Sequence, residues 1–243
     1  MVPDQQTPNK KEDIMKKIMD VIINAIRTVT AQVWPTFLLL LRTMIAAVVR
    51  YRLYVRKERF TVRPFFVDDE GEIVVWTKTR RMTATEICQM YQFLTDDGPL
   101  MELAAMPGEN CTCIRDEIEG IIVTMESVFT DDKAILWHEL AHAAIQDAAD
   151  LDSRKFENEL DADFVAAGQV GREKAVATLT RVKNQIANYP WWIRLAGDGA
   201  LEESVNELEC RILNLQRIDQ KILNLFAAKA QNKVRFIDDE EVA

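Results

Sequence analysis

Ile135-Leu-Trp-His-Glu-Leu-Ala-His-Ala-Ala-Ile145, ILWHELAHAAI, contains both histidines of this 243-residue chain. On a helix, residues four apart sit one turn above each other on the same face, so His138 and His142 can aim their imidazoles at one ion. Glu139 then lies beside that ion without binding it. A carboxylate so placed can take a proton from a metal-activated water and later pass it to a leaving amine. Ala134, Trp137, Ala141, Ala144 and Ala148 form a separate stripe suited to core packing. Chance placement of the two histidines would give this HExxH spacing on the order of one time in 1,500, so two buried histidines unconnected with a metal are the weaker reading.

No other histidine exists to complete a site of three, so the third ligand must be an oxygen. Downstream, Phe156-Glu-Asn-Glu-Leu-Asp-Ala-Asp-Phe-Val-Ala-Ala167 places Glu159 and Asp163 four apart on a predicted helix, with Glu157 and Asp161 competing on adjacent faces. Two imidazoles and one Glu carboxylate form a common catalytic zinc set that leaves a fourth position for water. Asp163 is positioned to accept the other ring N–H of a ligand, His138 first, which fixes its tautomer and orientation. A solvated acidic helix face is the competing explanation for these carboxylates.

HExxH followed by ExxxD, as His138-Glu-Leu-Ala-His142 then Glu159-Leu-Asp-Ala-Asp163, resembles the gluzincin clan of zinc metallopeptidases. The second motif is similar to that of the heat-shock and CAAX-prenyl-protein membrane proteases and of the minimal gluzincins. The short separation of the two motifs also resembles peptidases of the ImmA type from phages and mobile elements. The resemblance covers Glu119 to about Ala167, with a fainter Arg-Ile-x-x-Leu likeness at Arg211-Ile-Leu-Asn-Leu215. It implies an α+β, zincin-like fold: a small antiparallel or mixed sheet, an HExxH helix, an ExxxD helix and further C-terminal helices, preceded by N-terminal helices. It also implies one zinc ion held by His138, His142 and Glu159, with Glu139 as general base, and a polypeptide substrate paired with an edge strand at Glu119–Met125. With no downstream histidine to stabilise an oxyanion, Tyr189 and Arg211 are the residues considered for that role. Beside Pro190, Trp191 and Trp192, Tyr189 reads more readily as a packed aromatic corner.

Around this core the chain reads as a lead-in over 1–13, an N-terminal helical region over 14–58 and the metallopeptidase domain over 59–243. The first 81 residues carry 15 Lys/Arg against 9 Asp/Glu, the remainder 15 against 30. An acidic body argues against nucleic acid as a partner, while the basic first third suits an anionic membrane, an acidic partner or simply solvent. The apolar segment 33–49 falls short of the roughly 20 residues of a span and contains Arg42, so a buried or partner-binding helix is the preferred reading and membrane association the alternative. Cys88, Cys111, Cys113 and Cys210 show no disulfide framework and read as free thiols of a cytoplasmic chain. Arg59–Lys78 reads as a β-hairpin turning at Asp68–Gly71. Thr83-Ala-Thr-Glu86 is a capping box opening a helix through about Leu94, which Asp97-Gly-Pro99 closes. Helices are predicted from Thr130 or Asp131 to about Ala149 and near 155–168, 171–188 and 200–230. The oligomeric state is not legible. A zinc-dependent peptidase is the leading functional reading. The alternative is a non-catalytic zinc scaffold binding or regulating one partner, or a regulatory peptidase acting on a single target.

Overall fold

The computed structural model describes residues 10–106, 108, 110–125, 132–145 and 155–238. Residues 1–9 of the lead-in read over 1–13, and the end of the helix predicted to reach Ala149, lie outside them, while 10–13 belong to the first helix instead of a lead-in. The chain divides into two compact units, 1–44 and 45–243. Helix α1 (Lys10–Arg50) is continuous where two segments are expected, and it runs through Pro35 into a π-helical turn, Tyr51–Val55.

The second unit is α+β. Six strands form one mixed sheet: β1 (Arg59–Val67), β2 (Ile73–Trp76), β3 (Arg80–Thr83), β4 (Cys111–Arg115), β5 (Glu119–Thr124) and β6 (Val234–Ile237). The spatial order is β4-β5-β1-β2-β6, with β3 beside the first half of β1. The predicted hairpin is present: Phe65 faces Val75 and Val67 faces Ile73. Its turn is held by Asp68, whose Oδ1 accepts from the amides of Glu70 and Glu72, and by Gly71 at φ +80°. β5 pairs with β1 on one side and β4 on the other, so β4, not the expected Glu119–Met125 segment, is the edge strand. β6 adds to β2 in parallel, a long-range pairing with no local signal in the sequence.

Nine helices are described in the chain. Thr83 and Glu86 form the predicted capping box of α2 (Ala84–Met90), which stops four residues earlier than expected. Asp97-Gly98-Pro99 opens α3 (Gly98–Ala105) where it was expected to close a helix, because proline at the first turn needs no N–H partner. After β5 come α4 (Lys133–Ala144), α5 (Lys155–Val170), α6 (Arg172–Ala187), the short α7 (Trp191–Ala196), α8 (Ala200–Arg217) and α9 (Gln220–Gln231). The single helix predicted over 200–230 is two, broken where Ile218 turns extended and Asp219 caps the next helix by accepting from the Lys221 amide.

Two of the buried clusters bear on the site. The first joins Phe65, Ile73, Val75 and Ile122 of the sheet to Leu136, Leu140, Ala141 and Ala144 of α4 and to Ala162 and Val165 of α5. Small alanines at the crossing let these two helices approach closely, while the larger side chains fill the space above the sheet. The second gathers α5, α6, α8 and α9 around Phe164, Leu179, Leu215 and Leu223. Together they fix α5 on two sides.

Candidate metal centre

α4 begins at Asp132, whose Oδ1 accepts from the Ala134 amide at 2.9 Å. Its Oδ2 accepts from Arg181 at 2.9 Å and from the Thr178 hydroxyl at 3.2 Å, so the same carboxylate caps α4 and ties it to α6. At the other end of α4, Arg115 of the edge strand donates to the Ala143 carbonyl. The helix is thereby held at both ends while Leu136, Leu140 and Ala141 anchor its inner face.

His138 and His142 stand on the remaining face, their rings edge to face at 84° with centroids 4.8 Å apart. α5 brings Glu159 and Asp163 opposite them. His138 Nε2 lies 3.2 Å from His142 Nε2 and 3.3 Å from Glu159 Oε2, and His142 Nε2 lies 3.5 Å from Glu159 Oε1. These three residues form a group that can hold a metal ion. The donor set fits one: four-coordinate tetrahedral zinc with bonds of about 2.0–2.1 Å has ligand atoms spaced about 3.3–3.4 Å, and the observed separations bracket that value. Asp163 Oδ1 lies 2.9 Å from His138 Nδ1, which directs the other ring nitrogen toward the shared centre. Of the competing carboxylates, Glu157 is exposed and Asp161 faces Lys229.

Electrostatics concentrate here. Burial disfavours a charged His138, but the hydrogen bonds and charges of Asp163 and Glu159 outweigh it and lift the imidazole to about 10. Burial also opposes charge on Glu159 and Asp163, yet hydrogen bonding with His138 and the Arg211 guanidinium keep both below the usual carboxylate range. Glu139 behaves differently: burial raises its carboxyl above that range against the pull of His138 and His142.

Arg211 was considered for an oxyanion. The structure gives its donors another task. Nε and Nη2 bind both oxygens of Asp163, at 2.7 and 2.9 Å, and Nη1 reaches Glu159 at 2.8 Å and Glu207 at 3.5 Å. It is a buried clamp on the carboxylates that face the histidines. A signal for this existed in the sequence: Leu208, Ile212 and Leu215 define the buried face of α8, and Arg211 falls on it. Tyr189 is buried at the end of α6 beside Gln185, away from the cavity wall.

The group opens into a cavity of about 610 Å³. One wall is the edge strand, from Cys111 to Arg115; another is apolar, formed by Ile135, Leu179, Val182 and Leu208; His138, Glu139, His142 and Glu159 complete it. Burial, with Glu139 nearby, pushes the Cys111 and Cys113 thiols up, so they stay protonated at neutral pH. All four cysteines are free. Comparison of the chain with protein-family models, curated proteins and solved structures gives no match.

Proposed function

We propose that this chain is a zinc-dependent peptidase of the gluzincin kind, with a zincin-like arrangement of sheet edge, HExxH helix and ExxxD helix. The observation that carries the reading is the placement of a buried acid, Glu139, among the residues that line the same cavity as the converging His138, His142 and Glu159. A structural zinc site is closed by four protein ligands and needs no such acid. Two imidazoles and a carboxylate suit zinc among the divalent ions.

A bound ion would supply Lewis acidity toward water and a substrate carbonyl. The chain's own residues supply the rest. Asp163 and Arg211 hold His138 and Glu159 in place. Glu139, whose carboxyl burial raises above the usual carboxylate range, would accept a proton from the attacking water on a side-chain oxygen and return it to the departing amine. Among the described residues β4 pairs with β5 alone, so its other side can offer backbone donors and acceptors to an extended polypeptide, whose apolar side chain would meet Ile135, Leu179, Val182 and Leu208. The free cysteines fit a reducing compartment such as the cytoplasm.

The test is Glu139→Gln, assayed for metal content and for cleavage of unfolded polypeptide. The substitution preserves shape but removes the base, so bound metal is retained and cleavage falls by roughly 10²-fold or more. Unchanged cleavage excludes Glu139 as the base. Metal bound by the wild type with no cleavage of any polypeptide turns the reading to a zinc scaffold.

A further inference from the structure

For 33–49 the sequence offers a buried or partner-binding helix, with membrane association as the alternative, and the structure leaves most of the segment exposed. The run between Arg27 and Arg50 spans 22 residues with Arg42 as its sole charge. As helix it is about 33 Å long, against a bilayer hydrocarbon core of about 30 Å. The segment Val33–Val55 is long and apolar enough to cross a membrane, and little of it is buried. Exposure is not confined to one stripe. Phe37 and Leu39 lie about 200° apart around the helix axis, and both are exposed, as are Val33, Leu40, Met44 and Val48. An all-round apolar helix belongs in an apolar medium, the interior of a large protein or a membrane, and the basic, aromatic end of this run favours the membrane.

We propose that α1 is embedded in a lipid bilayer through 28–49 and anchors the chain to an anionic membrane. Two hydroxyls of the run are satisfied within the helix, as hydrocarbon requires: Thr43 donates to the Leu39 carbonyl at 2.8 Å and Thr28 to the Asn24 carbonyl at 2.9 Å. Arg42 opposes insertion roughly a hundredfold on insertion scales, but ten Val, Leu, Ile and Phe residues favour it by roughly twofold each, which outweighs the arginine. Where the run ends, the chain carries exposed Tyr51 and then Arg50, Arg52, Arg56, Lys57 and Arg59, the chemistry of an interface with anionic lipid. At the start of the second unit, Ile45, Val49 and Leu53 pack into its core with Phe60, Val62 and Ile87. A chain anchored in this way acts on polypeptides at or near a membrane surface.

Flotation of the full chain with phosphatidylcholine vesicles containing a minor share of phosphatidylglycerol tests this. The chain is expected to float with the vesicles and stay with them through high salt and alkaline carbonate. Leu40→Asp combined with Met44→Asp reduces the bound fraction at least a hundredfold while bound metal and circular dichroism stay unchanged. Three results overturn the proposal: failure to float, release by salt alone, or a stable soluble dimer that the same double substitution dissociates. If the double variant misfolds, protease protection of 28–49 in vesicle-bound wild type decides the question, and loss of protection overturns it. Peptidase activity plays no part in these measurements, so the anchor stands or falls separately from the catalytic reading.

Discussion

Arg211 shows how one residue can set a site without touching its substrate. It compensates two buried carboxylates that share His138, one in a fork-to-fork pair and one through a single nitrogen. Removing one partner of such a cluster leaves uncompensated buried charge, which costs about 3–5 kcal/mol. Arg211→Met should therefore destabilise the metal-free chain by about that amount in urea denaturation. Arg211→Lys keeps the charge but not the fork and should fall between the two. A loss under about 1 kcal/mol for Arg211→Met would show the clamp to be idle. The grouping of His138, His142 and Glu159 was legible because HExxH and ExxxD are local patterns whose geometry follows from one helical turn. Arg211 was legible only as a charged residue on an apolar helix face; its partners lie 48 and 52 residues upstream, and only the packing of α8 on α5 brings them together.

At the scale of elements, the metal group depends on where α5 is held. Gly168 lets α9 approach: a Cβ there would stand 2.3 Å from the Leu223 carbonyl and 2.6 Å from the Ala227 side chain. Two effects compete in Gly168→Ala. Helix propensity favours alanine by about 1 kcal/mol, but the obstruction is backbone of a packed helix and cannot move aside cheaply. Overpacking of this kind costs about 1–3 kcal/mol, so the substitution should lower the thermal midpoint; an increase would mean that α9 shifts freely. Helix existence and the hairpin were readable from periodicity, capping and turn residues. Strand order was not. The rule that placed Glu119–Met125 at the edge came from resemblance, and the structure instead puts β4 outside it because β5 pairs on both sides. β6 was invisible for the same reason, being four residues that join a strand about 160 positions away.

Across the whole molecule, charge divides between a basic N-terminal third and an acidic remainder, a division that matches the proposed anchor and the proposed site. The second unit builds its site from one sheet edge and helices that converge only when folded, so the ligands assemble as the fold does. The account rests on His138, His142 and Glu159 binding one ion together. Metal analysis of the purified chain, with zinc titration of the metal-free form and X-ray absorption at the bound ion, tests this most directly. One zinc per chain is predicted, bound by two imidazole nitrogens and carboxylate oxygen at about 2.0–2.2 Å, with binding abolished in His142→Ala and weakened by orders of magnitude in Glu159→Gln. A chain that takes up no zinc, or keeps its full complement without His142, would contradict the account.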